Sequence, residues 1–342
     1  MVVKKNILII LGFILLLGFN IYLVLTVNKL NHNLNNIELY ITNTKSNSPY
    51  RLNLTSKYGD NQAYHPKVVS FAKKWHGYKY YMVFSPYPYA NNKYENPHIK
   101  VSNDLINWEE PIKNLNPLDE VKDNDKGKKY NSDPHLVYNS DTDKLECFWR
   151  YVDEKANIVK IYRRTSSDGK NWSKKEIIFE SKRDKCDWIS PAIIYENNIY
   201  KIWYMYKNKV NYIETVDFKN YSEPKIINIE YEDSVKTWHL DVIHTDKGYE
   251  MLLVAFSDWN HRAFMNLYYT YSIDNEKYDI AKTILRPTTG TNYWDNSGLY
   301  RSSFIYENNK YYVFYSGQGT NNAKGIGLMI GKDIFNLKTV NY

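Results

Sequence analysis

The hydrophobic and polar positions of this chain recur as a pattern. Five times, an apolar run opens on a polar phrase, breaks at a short polar turn and resumes as a Tyr-rich run. The first runs are HPKVVSF (65–71), DPHLVYN (133–139), SPAIIYE (190–196), LDVIHTD (240–246) and RSSFIYE (301–307). Their partners are YKYYMVFS (78–85), KLECFWRY (144–151), IYKIWYMY (199–206), GYEMLLVAF (248–256) and KYYVFYSG (310–317). β-Branched and aromatic residues in short runs bounded by polar turns predict strands. The third and fifth copies nearly coincide, IIYENNIYKIWY (193–204) against FIYENNKYYVFY (304–315). Asn-Asn between two such runs predicts a tight hairpin, because Asn tolerates the left-handed backbone the turn needs. Asp246-Lys247-Gly248 serves the same end in the fourth copy.

A second phrase follows each pair of runs: SNDLINW (102–108), SSDGKNW (166–172), TVDFKNY (215–221), SIDNEKY (272–278) and GKDIFNL (331–337). Each is built on an Asp (Asp104, Asp168, Asp217, Asp274, Asp333) with a large apolar residue four positions on, and the phrase returns every 49–64 residues. Self-similarity at that period predicts a propeller, solenoid or array. Unequal insertions such as 111–131 suit propeller loops better than a solenoid. The expectation is an all-β, five-bladed propeller of four-stranded antiparallel blades spanning 60–342. The phrase Asp residues then belong to turns at the outer ends of blades, their carboxylates accepting backbone N–H groups and the following aromatic packing between neighbouring blades.

The N-terminus changes the picture. Residues 7–27, ILIILGFILLLGFNIYLVLTV, form an apolar run broken by one Asn20 and preceded by Lys4 and Lys5. At about 1.5 Å per residue it is long enough to cross a core of about 30 Å. The expectation is a signal-anchor transmembrane helix over 1–28, N-terminus cytoplasmic by the positive-inside tendency, with the propeller outside the cell membrane. A cleaved signal and a secreted product is the alternative. Residues 29–59 are polar and read as a stalk. Cys147 and Cys186 either pair or remain free thiols, and no Cys/His spacing suggests zinc. Aromatics make up 16% of the chain, with 34 Tyr, and the net charge is +7. That charge comes without a basic block, which argues against nucleic acid and mildly favours acidic partners such as anionic glycans or a membrane surface.

In a propeller the residues that start the inner strands share one central pocket. Here these are Tyr64-His65-Pro66, Ser132-Asp133-Pro134-His135, Asp187-Trp188-Ile189-Ser190-Pro191, Trp238-His239-Leu240-Asp241, and Trp294-Asp295 with Tyr300-Arg301. Indole and phenol faces stack on pyranose rings, and carboxylates and imidazoles bond hydroxyls. Glycoside hydrolysis needs two carboxylates, one protonated and one ionised. Asp133 and Asp241, from the second and fourth units, are the candidate catalytic pair, with His65 as a third catalytic candidate. His239, Tyr64, Tyr300, Trp188, Trp238, Trp294, Asp187 and Asp295 are candidate substrate contacts. Arg301 is the candidate fork for a carboxylate or phosphate on an anionic sugar. The bland reading is open for each: strand-start turns for the Asp residues, core hydrogen bonds for His65 and His135, wedges between blades for the Trp residues. No cofactor or metal is expected.

These units, opening on a polar-Pro phrase and closing on S-x-D-x-x-x-W, resemble the five-bladed propeller glycosidases of the arabinanase/xylosidase and invertase/levansucrase families. The likeness covers roughly residues 60–342 and implies a glycosidase-like hydrolase of a cell-surface or extracellular polysaccharide. The carry-over is partial. Where those families start the first blade with Asp-Pro, this chain has His65-Pro66. Asp133-Pro134 has the form of the Asp that supports their acid. Their general-acid Glu in E-G-P or E-C-P is missing; Ser190-Pro191 and His239-Leu240-Asp241 stand in its place. A non-catalytic glycan-binding propeller and a protein-interaction scaffold are the alternatives. SSDGKNW also approaches the sialidase Asp box, but five units and a single Arg among the candidates argue against a sialidase.

Overall fold

The structure, a computed structural model, describes residues 19–28, 51–58, 61–121, 127–257, 264–290 and 293–340. Residues 1–44 and 45–342 form two separate compact units. Of the first, 19–28 are helical. Most of the apolar run 7–27 lies outside the described residues, among which no helix is long and apolar enough to cross a membrane.

The second unit is the propeller. Blade 1 holds β1 (Ala63–Trp75), β2 (Tyr78–Pro86) and β3 (His98–Ser102); blade 2 holds β4 (Lys129–Asn139), β5 (Lys144–Asp153), β6 (Ile158–Ser166) and β7 (Glu176–Lys182). Blade 3 holds β8 (Ile189–Glu196), β9 (Ile199–Tyr206), β10 (Lys209–Thr215) and β11 (Lys225–Ile227). Blade 4 holds β12 (Lys236–Thr245), β13 (Gly248–Phe256), β14 (Asn266–Ser272) and β15 (Lys282–Leu285). Blade 5 holds β16 (Gly298–Glu307), β17 (Lys310–Gln318), β18 (Lys324–Gly331) and β19 (Lys338–Thr339). Each sheet is an antiparallel meander, and the first strands β1, β4, β8, β12 and β16 neighbour one another around a closed ring.

Blade 1 departs from the four-stranded expectation. Its outer edge carries one bridge, Val101 to Glu109, instead of a fourth strand. The Asn116 side chain does the rest: its Oδ1 accepts from Ile99 N (2.6 Å) and its Nδ2 donates to Ile99 O (2.8 Å). An amide side chain thus satisfies the edge groups a missing strand would leave orphaned.

Five apolar cores fill the gaps between adjacent blades. The Asp phrases stitch them. Each lies in the turn from the third strand to the outer edge of its blade. Asp168 Oδ1 accepts from Lys170 N (2.8 Å) and Asn171 N (2.7 Å), and Asp104 repeats this with Ile106 (2.9 Å) and Asn107 (2.8 Å). Burial pushes the Asp104 carboxyl up, but hydrogen bonds from the Asn107 side chain and the turn amides outweigh it and hold the pKa at about 2. In four of the five phrases the residue after the Asp turns left-handed, as Gly169 does at φ +72°; a Cβ there would stand 2.6 Å from the Tyr81 ring of blade 1. Trp108 of blade 1 packs edge-on against Phe314 of blade 5, and Tyr221 of blade 3 donates to Ile178 O of blade 2 (2.6 Å).

The segment 51–54, which the sequence places in the stalk, lies against blade 5. Arg51 bridges Gly327, Leu52 N donates to Ile326 O (2.8 Å), and Leu52 and Leu54 are buried. Cys147 and Cys186 are both free thiols.

Candidate active site

The inner strands do not enter the ring straight. His65, Asp133 and Ser190, each before a Pro, have left-handed φ of 55°, 47° and 53°. A register break sits at the matching place in all five blades: Tyr64/Lys67, Ser132/His135, Ile189/Ala192, Thr237/His239 and Tyr300/Ser303. β-Bulges of this kind re-aim side chains, and left-handed non-Gly residues persist only where the surroundings hold them.

A cavity of about 220 Å³ opens at these bulges. His65, Tyr87, Asn92, Glu95, Tyr130, Ser132, Asp133, Arg150, Arg183, Ile189, Trp238, His239 and Tyr300 line it. The structure therefore brings together His65, Asp133, His239, Trp238 and Tyr300 from four blades. His239 Nδ1 stands 3.7 Å from Asp133 Oδ1. The His65 and His239 rings are 6.0 Å apart, and Tyr300 lies 4.4 Å from the His239 ring. Trp238 Nε1 donates to the Tyr300 hydroxyl (3.0 Å), and Tyr64, buried, stacks behind Tyr300 at 5.0 Å. His65 Nδ1 contacts Ser85 Oγ (2.9 Å) and Glu95 Oε1 (3.3 Å), while His65 Nε2 and both His239 ring nitrogens have no hydrogen-bond partner among the described residues.

Burial sets the protonation states. It drives the His65 pKa down to about 3 and that of His239 well below its ordinary value. Both imidazoles are neutral near pH 7 and keep one acceptor nitrogen. Burial raises the Glu95 carboxyl well above its usual range, with the nearby Asp133 charge adding to the effect. Asp133 goes the other way. Burial pushes it up, but the positive charge that His239 and His65 can carry, with that of the Arg301 and Arg150 guanidiniums, outweighs it and lowers the pKa. The two guanidiniums are permanently charged, so Asp133 stays ionised beside neutral imidazoles.

Other candidates lie elsewhere. Asp241 is not in the cavity wall. Two residues further along β12 than His239, it accepts from Lys67 Nζ of blade 1 (2.7 and 3.0 Å) and from Phe304 N of blade 5 (3.3 Å). It does not face Asp133 as a catalytic partner, because a buried cation holds it. Arg301 is fully buried and donates to Pro134 O (2.5 Å), Pro191 O (3.0 Å) and Ser190 Oγ (2.8 Å), so its fork is spent tying blade 5 to blades 2 and 3. Its Nη2 also approaches His135 Nδ1 (3.3 Å), and His135 Nε2 bonds Ile193. Trp188 is sandwiched between Phe179 and Tyr204 in a core. Trp294 stacks on Tyr315, whose hydroxyl donates to buried Asp295 (3.0 Å). Asp187 receives Arg150 Nε and Nη2 (2.6 Å each) and stands behind the wall.

Sequence reasoning missed Glu95, Tyr87, Asn92, Tyr130, Arg150 and Arg183. Arg150, a guanidinium within the apolar run KLECFWRY, was the one readable signal. Glu95 and Tyr87 come from the 87–97 connection between β2 and β3, which no repeat marks. As for a metal, Asp133 and His239 are the pair a cation could bridge, but no group of three or more His, Cys, Asp or Glu able to hold one occurs among the described residues.

A five-bladed propeller with a polar axial pocket of this kind is the fold shared by the arabinanase-type glycoside hydrolases. No family model matches the chain. It is similar to the A type blood N-acetyl-alpha-D-galactosamine deacetylase of Flavonifractor plautii, 26% identical over 74% of this chain and 39% of that protein, so it spans about two fifths of that relative's length. The crystal structure of an N-acetylgalactosamine deacetylase from F. plautii, in complex with blood group B trisaccharide, superposes with a TM-score of 0.74 at 22% identity, covering 84% of this chain and 95% of that one. The exo-1,5-alpha-L-arabinanase from a bovine ruminal metagenomic library gives 0.57 at 14% identity, covering 79% and 94%. The Cellvibrio cellulosa alpha-L-arabinanase complexed with arabinohexaose gives 0.54 at 13%, covering 79% and 91%.

Proposed function

We propose that this protein is a glycan hydrolase whose axial cavity removes the N-acetyl group from an amino sugar. The observation that carries this is the make-up of the cavity. One ionised carboxylate, Asp133, sits beside two neutral imidazoles with unpartnered nitrogens, Glu95 Oε1 stands 3.3 Å from His65 Nδ1, and the inner-strand carboxylate Asp241 is held by Lys67. Amide hydrolysis wants a neutral base at the reacting carbonyl. The likeness to the F. plautii deacetylase in both sequence and structure supports the same reading.

In this mechanism the sugar rests on Trp238 and Tyr300. A water in the cavity attacks the amide carbonyl carbon as the free His239 nitrogen takes its proton. Asp133, 3.7 Å away, stabilises the imidazolium that forms. The tetrahedral intermediate collapses as that proton passes to the sugar nitrogen. The C–N bond breaks, releasing acetate and the free amine. The test is incubation of the chain with neutral N-acetylhexosamine oligosaccharides, assayed for acetate and for new reducing ends. Acetate without reducing ends is expected; neither product would leave a binding propeller.

A second reading has its own support. Asp133 is held ionised and Glu95 protonated in one cavity, the division of labour a glycosidase uses. It expects new reducing ends, abolished by Glu95→Gln, and no acetate. We propose too that the run 7–27 anchors the chain with the propeller outside the cytoplasm. Protease digestion of intact cells tests this: survival of the propeller would overturn it.

A further inference from the structure

The cavity wall holds a guanidinium that neither the catalytic groups nor the core use. Asp187 receives two arginines. Arg150 takes both of its oxygens at 2.6 Å and sends its third nitrogen to Ser132 Oγ (3.1 Å). Arg183 spends only Nε, on Asp187 Oδ2 (3.2 Å), and its Nη groups have no acceptor among the described residues. Its side chain is 32% exposed and lines the cavity. The adjacent carboxylate, Asp184, is engaged by Asn157 Nδ2 (3.0 Å). Two guanidiniums meet one carboxylate at this wall. Asp133, the carboxylate on the cavity side, feels the charge of Arg301, whose own hydrogen bonds all go to neutral groups. Glu95, Asp133 and both imidazoles share the cavity but make no hydrogen bond or ion pair with Arg183 among the described residues, so its Nη groups remain open to an anion.

The geometry points to an anion subsite at Arg183: its two Nη groups bind a carboxylate or phosphate on the sugar next to the one in the cavity, making the substrate an acidic glycan. A planar fork fixed by one ion pair is pre-set for two-point binding of such a group. This inference rests on reading the cavity as a glycan site, and deepens it by naming the substrate class.

Binding separates the two. Calorimetric affinities of the whole chain are compared for an N-acetylglucosamine–glucuronate tetrasaccharide, its carboxyl-reduced neutral counterpart, and an N-acetylglucosamine oligomer carrying a phosphodiester. Preference for one acidic probe over the neutral one identifies the anion as carboxylate or phosphate. The expected preference is about tenfold, the ratio that corresponds to ~1.4 kcal/mol. Arg183→Gln brings the ratio to about one, and Arg183→Lys, which keeps the charge and loses the fork, leaves it between. Equal affinities for all three probes in the unsubstituted protein, or a preference that survives Arg183→Gln, overturns the subsite while acetate release still stands for the reaction. A preference that follows Arg183 with no acetate released does the reverse.

Discussion

Replacing Asp241 by Asn distinguishes a carboxylate that holds the ring together from one that does chemistry. Asp241 and Lys67 form an ion pair with both side chains under one-tenth exposed. Burial lowers the Lys67 pKa, and the Asp241 charge opposes that. Removing one partner of a buried pair costs about 3–5 kcal/mol, because the other charge is left uncompensated. At ~2–3 °C per kcal/mol for a domain of this size, the midpoint of thermal unfolding falls by about 6–15 °C. The double variant Lys67→Met/Asp241→Leu, which removes both charges, recovers most of that loss. Asp133→Asn should lower turnover by ~10²–10⁴-fold in protein that is still folded at the assay temperature, a loss that the smaller drop in stability does not account for. The assay is differential scanning fluorimetry beside acetate release, both well below the lowered midpoint. If Asp241→Asn leaves the melting temperature intact but removes turnover, the assignment of roles is wrong.

Acid should unfold this protein early. His65, His98, His135 and His239 are buried with lowered pKa values, about 3 for His65 and about 4 for His98. The unfolded chain then binds more protons than the folded one below about pH 6.5, so stability falls as pH drops from there through 4, with a slope of up to about 5 kcal/mol per pH unit. Urea midpoints flat from pH 7 to 5 would contradict this. His239→Gln should lower kcat by ~10²–10⁴-fold with little effect on sugar affinity, read from the kcat and KM of acetate release. Trp238→Ala should instead raise KM about tenfold, since it removes a stacking face and leaves the proton path in place. Asp104→Ala should cost about 1–2 kcal/mol in urea unfolding without touching turnover, as loss of the turn's amide acceptor does at helix caps.

The fold was legible because it is written five times. Each Asn-Asn or Asp-Lys-Gly turn fixes a hairpin, and each Asp phrase marks a turn. Local chemistry of that kind survives in the linear sequence. Half of the pocket was legible for the same reason: His65, Asp133, His239 and Tyr300 share one place in the repeat. Depth was not. His239 and Asp241 lie two residues apart, about 7 Å along the strand. That step separates the cavity from the interior of the ring, where Lys67 waits from another blade. Arg301 looked like a ligand fork because nothing in its neighbourhood of sequence supplies the Pro134 and Pro191 carbonyls it reaches. Glu95 and Tyr87 were invisible because they come from an insertion outside the repeat.

The contacts of Lys67, Asp241 and Arg301 cross between all five first strands just beyond the catalytic groups. They turn the axial hole of the ring into a blind pit. A polymer cannot thread a closed pit. On the proposed reading, whatever reaches Asp133 and His239 enters from the mouth, as a chain end, a branch tip or a pendant N-acetyl group. If chain ends and branch tips are what enters, activity scales with their number in a sample; if pendant N-acetyl groups enter from internal residues, it scales with the sample's mass.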